Sequence, residues 1–254
     1  MDIFDLRGRV AVVTGGNGGI GLGMAQGLAK AGARIVIAAR NLEKSRIAAA
    51  ELGALGSEVE VLPVDISDEN SCRAMIVEAV RLAGRVDILI NNAGINIRKR
   101  PEDYTTGEWR EILSTNLDGA FWCAQAAYPS MKAAGGGKII NIASILANLA
   151  TPFGVPYAAS KGALVQMTKA LAIAWAPDNI QVNAVLPGWT ETDAATIARR
   201  QVPTLDQVVK SRTPAQRWGR VTDFEGVAIF LASQASDFVT GSSVVVDGGY
   251  SVAG

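Results

Sequence analysis

The chain has 254 residues, 49% of them apolar and 19% charged, enough apolar material for a sizeable core. Twenty-four basic residues balance twenty-four acidic ones, so no net field draws the molecule to nucleic acid or to an anionic membrane. There is no histidine, and the two cysteines, Cys72 and Cys123, form no CxxC pair. That argues against a metal site or a disulfide framework and leaves both thiols as small buried apolar groups.

The amino-terminal MDIFDLRGRV carries two acids and no long apolar stretch. No run of 18 uninterrupted apolar residues occurs anywhere. Neither a signal peptide nor a membrane span is expected, and the protein reads as cytoplasmic. Residues 9–14, RVAVVT, form a short β-branched run ending at glycines, as in a strand buried on both faces. A helical stretch follows over 20–31, then a glycine stop at Gly32, a second strand through about Ala39, and a helix beyond Asn41. Further strands are expected near 58–64, 86–91, 137–143, 180–186 and 242–247, with helical stretches between nearly all of them. Strands alternating with long helices imply right-handed crossovers, hence an α/β fold with a doubly wound parallel sheet and helices on both faces.

No Pro, Gly or Ser-rich linker splits the chain, so residues 1–254 read as one domain. The segment 189–218, with scattered threonines and arginines and with Pro203 and Pro214, shows no clear period. It reads as an insertion at the carboxyl end of a strand, where doubly wound sheets bind ligands, and as a candidate lid.

The first strand runs into Thr14-Gly15-Gly16-Asn17-Gly18-Gly19-Ile20-Gly21 and then the first helix. Glycines there let backbone N–H groups approach a ligand, and the helix amino terminus adds positive character, which together suit a pyrophosphate. Alone, the cluster is also compatible with a plain tight turn; its place between first strand and first helix favours a dinucleotide. The second strand ends at Arg40, 19 positions past Gly21, where an NAD site would present an acid. A guanidinium there pairs with a 2′-phosphate, so NADP is expected and NAD is possible. Asp65, with Ile66, ends the third strand where an adenine would lie, and Asn92-Ala93-Gly94 closes the fourth.

In VPYAASKGAL, residues 155–164, Tyr157 and Lys161 lie one helical turn apart on one face. A free phenol, with a pKa near ~10, is a poor base, and bringing it to about 7 takes roughly 4 kcal/mol. A neighbouring ammonium, assisted by the positive ring of an oxidised nicotinamide, is the expected source. Such a phenol exchanges a proton with a carbonyl or alcohol oxygen.

Taken together, Thr14-Gly15 with Gly19-Ile20-Gly21, residues 91–94 (NNAG), Asn116, Ser144, Tyr157 with Lys161, Pro187-Gly188 and residues 246–249 (VDGG) resemble the short-chain dehydrogenase/reductase family. Ser144 stands 13 residues before Tyr157, in the family's order. The resemblance implies a Rossmann-like sheet of seven parallel strands, a homotetramer, and a catalytic tetrad of Asn116, Ser144, Tyr157 and Lys161. In that scheme Ser144 hydrogen-bonds the substrate oxygen, and Tyr157 is the acid or base. Lys161 lowers the phenol's pKa and holds the nicotinamide ribose, and Asn116 positions a water. Gly15, Asn17, Gly19, Ile20, Gly21, Arg40, Asp65, Ile66, Asn92, Ala93, Gly94, Tyr157, Lys161, Pro187, Gly188, Thr190 and Thr192 are the implied cofactor contacts, the two threonines also being candidate helix caps. The family's NADP users often carry a basic residue where this chain has Gly18, leaving Arg40 as the main visible phosphate partner.

Arg98, Lys99 and Arg100 put three cations in the loop after the fourth strand, a rim that favours an anionic substrate. Asn96, Arg98, Ser144 and Trp189 are the candidate substrate contacts. Residues 93–96, 187–189 and 217–219 are similar to gluconate 5-dehydrogenase and 2-deoxygluconate 3-dehydrogenase-type members, which act on six-carbon sugar acids. The expectation is therefore a small-molecule carbonyl or alcohol substrate, most of all a sugar acid, sugar or polyol. The alternatives are a 3-oxoacyl-carrier-protein reductase with the same tetrad, or a nucleotide-binding scaffold without turnover.

Overall fold

A computed structural model describes residues 2–253. Seven strands, β1 Val10–Thr14, β2 Arg34–Ala38, β3 Val59–Leu62, β4 Ile88–Asn91, β5 Gly137–Ile142, β6 Ile180–Pro187 and β7 Ser243–Val246, form one sheet in the order β3-β2-β1-β4-β5-β6-β7. Every pairing is parallel. The helices are α1 Gly19–Lys30, α2 Leu42–Gly53, α3 Glu69–Ala83, α4 Thr106–Leu113, α5 Gly119–Ala133, α6 Val155–Trp175, α7 Asp193–Gln201, α8 Leu205–Arg212 and α9 Glu225–Ala232.

Strand periodicity divides the core. Ala11 and Val13 of β1 pack with Ile35 and Ile37 of β2 against Met24 and Leu28 of α1, Leu52 of α2 and Leu231 of α9. Val10 and Val12 face the other way, with Val36 and Leu89, against Met75 and Ile76 of α3, Ala124 of α5 and Leu171 of α6. Every β1 residue is buried, and each buried valine contributes about 1.5–3 kcal/mol. Cys72 and Cys123 are free and buried within the second of these layers. Strand order reverses between β1 and β4, so the cleft at their carboxyl ends is the switch point where this architecture takes ligands.

All seven expected strands are present, six trimmed by up to two residues at an end and β6 extended by one, to Pro187. The segment 189–218, which shows no clear period in sequence, holds α7 and α8, separated at Pro203. Each is about two turns long, too short for a 3.6-residue repeat to stand out among Thr and Arg. Their inner faces, Ala195, Ala198, Leu205 and Val209, gather around Trp218 as a small separate cluster. Among the described residues no helix is long and apolar enough to cross a membrane.

Candidate active site

Thr14 ends β1, and its buried hydroxyl holds the switch point closed. It donates to the Ile90 carbonyl (3.3 Å) and accepts from the Asn92 and Ala93 N–H groups (3.0 and 3.1 Å). Gly15 follows at φ 64°, in the left-handed region that favours glycine. A Cβ on Gly15 or Gly21 would stand 2.9 or 2.4 Å from the Asn92 amide nitrogen. That amide donates to the Thr14 and Gly15 carbonyls at 3.0 and 3.2 Å. Asn92, expected as a cofactor contact, therefore acts as a brace of the turn. Beyond the turn, α1 has no side-chain cap and no acid in its first turn, so its first N–H groups have no side-chain partner and present positive character. A pyrophosphate fits that surface. Ile20 lies in the first turn of α1, half-buried and packed on the layer under it. Asn17 ties the turn to α2, donating to the Asn41 carbonyl (3.2 Å) and to Ser45 Oγ (3.0 Å).

Arg40 lies exposed at the end of β2. Asp65, also exposed, accepts from the Ser67 hydroxyl (2.7 Å) and N–H (3.0 Å); those bonds hold its carboxyl below the ordinary value, with a smaller contribution from Arg40. Ile66 is mostly structural: a Cβ on Gly119 of α5 would stand 2.2 Å from its Cγ2. Gly94 opens toward the tetrad, since its Cβ would lie 3.1 Å from Asn116 Oδ1 and 3.6 Å from Lys161 Nζ. Pro187 ends β6, and Gly188 is required by contact with Asp247, 2.6 Å from where its Cβ would be. Thr190 is buried and donates to the Gly188 carbonyl (3.2 Å). Thr192 caps α7, accepting from the Ala195 N–H (3.2 Å), and its methyl lies 3.4 Å from a Gly19 Cβ. The segment 189–218 thus begins directly over the glycine turn.

Three elements bring the expected tetrad together. Asn116 sits in a π-helical segment, Ser114–Asp118, between α4 and α5, the kind of wide turn that aims a side chain out of register. Its amide accepts from the Ile95 N–H (2.8 Å) and donates to the Ile95 carbonyl (2.9 Å) and Ser160 Oγ (3.1 Å). Ser144 follows β5 and accepts from the Leu146 N–H (3.1 Å). Lys161 is buried, donates to the Ile142 carbonyl (2.7 Å), and stands 5.6 Å from the centre of the Tyr157 ring. Burial lowers the Lys161 pKa to about 8. Burial also raises the Tyr157 phenol, with the Ser144 hydroxyl pulling the other way. The expected lowering of Tyr157 by Lys161 is therefore corrected for the protein alone. The ammonium faces a backbone carbonyl, and loss of water around the phenol dominates.

The family model described as enoyl-(acyl carrier protein) reductase matches residues 15–251. The chain is 39% identical over 251 residues to the gluconate 5-dehydrogenase of Gluconobacter oxydans (strain 621H), covering 99% of this chain and 98% of that one. It is 39% identical over 252 residues to the 2-dehydro-3-deoxy-D-gluconate 5-dehydrogenase of Dickeya dadantii (strain 3937), covering 98% of each. The chain belongs to the short-chain dehydrogenase/reductase family. A solved relative, a gluconate 5-dehydrogenase from Burkholderia cenocepacia J2315 in complex with NADP and tartrate, superposes with a TM-score of 0.94 at 43% identity, covering 100% of this chain and 99% of that one. The protein is accordingly an oxidoreductase acting on CH–OH groups, and its sheet is the family's Rossmann-like sheet.

In this dehydrogenase/reductase the residues expected to meet substrate outside the tetrad come from separate loops. Asn96 Oδ1 lies 3.5 Å from where a Gly154 Cβ would be, next to the first turn of α6 that carries Tyr157. Of the three cations in the β4 loop, Lys99 pairs with Glu108 and Arg100 with Glu102 (3.1 Å). Arg98 makes no ion pair among the described residues, and its guanidinium stands 5.9 Å over the Phe153 ring. Trp189 meets Trp218 edge to face at 5.6 Å, and Arg199 stacks on Trp218 at 3.8 Å. Sequence reading missed Phe153, Lys44 and Arg199. Phe153 follows the proline of a turn, and the two cations sit in helices whose other charges look the same in sequence.

Proposed function

We propose that this protein is an NADP(H)-dependent oxidoreductase that interconverts a ketone and a secondary alcohol on a sugar acid, sugar or polyol. The carrying observation is the convergence of Asn116, Ser144, Tyr157 and Lys161 beside Gly94, at the end of a sheet whose glycine turn fits a pyrophosphate. Gly15, Asn17, Gly19, Ile20 and Gly21 would hold the pyrophosphate side, Arg40 the 2′-phosphate, Asp65 and Ile66 the adenine. Ala93, Gly94, Lys161, Pro187, Gly188, Thr190 and Thr192 would hold the nicotinamide side. When bound, the nicotinamide supplies a hydride to the carbonyl carbon.

The chain's own residues supply the rest. A phenol pushed up by burial is protonated at neutral pH, so Tyr157 stands ready to give its proton to the carbonyl oxygen, completing the secondary alcohol. The Ser144 hydroxyl hydrogen-bonds that same oxygen as charge develops on it. Lys161, near half-charged at pH 8, favours the phenolate left behind, and Asn116 holds the β4 loop through Ile95. Alcohol oxidation needs the phenolate at the outset, so its rate is expected to climb at alkaline pH while carbonyl reduction is favoured near neutrality.

Arg98, half-buried and without an acidic partner, supports a carboxylated substrate, as do the sugar-acid names of the relatives. We place Asn96 and Trp189 beside it, with 189–218 as the lid of a single catalytic domain. A homotetramer in the cytoplasm completes the reading; exposed Phe121 on α5 and Ile173 on α6 support assembly. Sedimentation of a stable monomer would refute the tetramer. The deciding experiment is a screen of keto-sugar acids, sugars, polyols and acyl thioesters with both nicotinamide cofactors. Turnover of 5-keto sugar acids with NADPH is expected; turnover restricted to acyl thioesters would replace the sugar-acid reading.

A further inference from the structure

The backbone of Gly18 does not require glycine: its φ of 178° and ψ of 170° are extended and open to any residue. What occupies the space above it is the Lys44 ammonium. A Cβ on Gly18 would lie 2.9 Å from Nζ and 3.0 Å from Cε. Lys44 reaches there from the first turn of α2, where its N–H donates to Asn41 Oδ1 (2.9 Å). That turn is fastened to the glycine turn by Asn17, and Ser45 Oγ donates to the Asn41 carbonyl (2.8 Å). Lys44 is therefore held at its base by the same hydrogen bonds that shape the glycine turn.

Arg40 lies one residue before this cap, at the end of β2. Two cations thus flank the side of the turn nearest β2, where the adenine ribose of a dinucleotide would lie. The Lys44 ion partner is Asp193, the first residue of α7, at 2.9 Å. Both side chains are exposed, 46% and 88%, and such a pair contributes little. The ammonium can be transferred to a stronger anion at small cost.

We propose that Lys44 is a specificity-determining cation for the 2′-phosphate of NADP, acting with Arg40 from above Gly18. The proposal rests on the NADP reading of this cleft. A phosphate monoester carries about −1.5 to −2 charge at neutral pH, more than one guanidinium neutralises. Arginine supplies a planar fork and lysine a mobile point charge, so the two complement each other on one phosphate.

The test is calorimetric binding of adenosine 2′,5′-bisphosphate, 5′-AMP, NADPH and NADH to the full chain and to Lys44→Ala, Arg40→Ala and Lys44→Ala with Gly18→Arg. Loss of Lys44 is expected to weaken the bisphosphate and NADPH about tenfold, with 5′-AMP and NADH changed less than about twofold. The tenfold loss shrinks in high salt because the ammonium is exposed. Arginine at position 18 restores most of it, since the extended backbone accepts a side chain once Lys44 is truncated. Equal weakening of NADPH and NADH would make Lys44 only a clasp for the lid, and no change would make it a spectator; both overturn the proposal. An effect of Arg40→Ala with none from Lys44→Ala overturns it while leaving the NADP reading intact. Equal binding of bisphosphate and 5′-AMP by the parent refutes that reading itself, and the proposal with it.

Discussion

The floor of the cleft and the segment over it are held by different kinds of interaction. On the floor, polar side chains carry several bonds each: buried Thr14 and Asn116 make three apiece, and half-buried Asn92 two. In the segment 189–218, proposed as a lid, Arg199 reaches Glu191 and Asp206 only at 3.5 and 3.7 Å, and the apolar cluster is five buried residues. Buried, multiply bonded groups fix positions to a few tenths of an ångström, as proton transfer demands. Exposed ion pairs and a five-residue cluster let a segment open at low cost, as exchange of a cofactor demands. On the proposed lid reading, chemistry is separated from motion along the chain.

The largest expected effect tests the floor. Tyr157→Phe deletes one hydroxyl from a half-buried ring and should lower turnover by about 10²–10⁴. NADPH affinity and the thermal midpoint should be unchanged, which calorimetry and a melting curve check. Turnover within tenfold of the parent would remove Tyr157 from the reaction and revive the non-catalytic scaffold.

The second test is on the lid. Trp218 is 2% exposed and anchors the cluster, with Arg199 on one side and Trp189 on its edge. Truncation to alanine costs about 3–5 kcal/mol at a buried site. If the lid opens by itself, that cost appears as amide exchange faster by about 10²- to several 10³-fold across 193–212, with the amides of β1, β4 and β5 unchanged. Faster exchange throughout would show that lid and floor unfold as one unit and erase the distinction.

Lys161 links the floor's stability to pH. Its folded pKa of about 8 lies below the ordinary 10.5. The unfolded chain therefore holds more protons between those values, and stability rises with pH across that window. Below pH 8 the cost of burying the charge is fully present, about 3 kcal/mol. Lys161→Met is expected to be inactive, and its unfolding free energy relative to the parent should fall by up to that amount from pH 8 to 10.5. Denaturant melts of both proteins at each pH cancel effects common to the two; a constant difference would mean the ammonium is not penalised by burial.

How much of this is legible in sequence follows the same division. The strands are visible because β1, β2 and β5 are buried on both faces and so read as short runs rich in Val and Ile. Tyr157 and Lys161 are visible as a pair because four residues make one helical turn, whereas Ser144 and Asn116 enter only through the family resemblance. Asn92 is visible as a site residue, but its part as brace of the glycine turn is not, because it depends on a contact across 77 residues. The pKa direction of Tyr157 is also illegible: the four-residue spacing gives proximity to Lys161, whereas burial and the Ile142 carbonyl come from other elements. Lys44 looks like any surface cation in sequence, and of the three cations expected at the substrate rim only the folded chain shows that Lys99 and Arg100 already pair with Glu108 and Glu102.

Arg98 gives the smallest effect and the finest discrimination, because it lies in the loop after β4, outside the tetrad. Its neighbours Lys99 and Arg100 are spent on Glu108 and Glu102, whereas its own contact is the Phe153 ring at 5.9 Å. A half-exposed guanidinium pairing with a substrate carboxylate contributes about 1.5 kcal/mol, or about tenfold in KM. Arg98→Gln should therefore raise KM about tenfold for a keto-sugar acid while kcat and the KM of an uncharged ketone stay within twofold. The charge acts on binding, away from the proton transfer, so a fall in kcat would place Arg98 among the groups that fix the reacting carbonyl. An equal rise for charged and uncharged substrates would mean that the side chain supports Phe153 and the loop rather than reading the carboxylate.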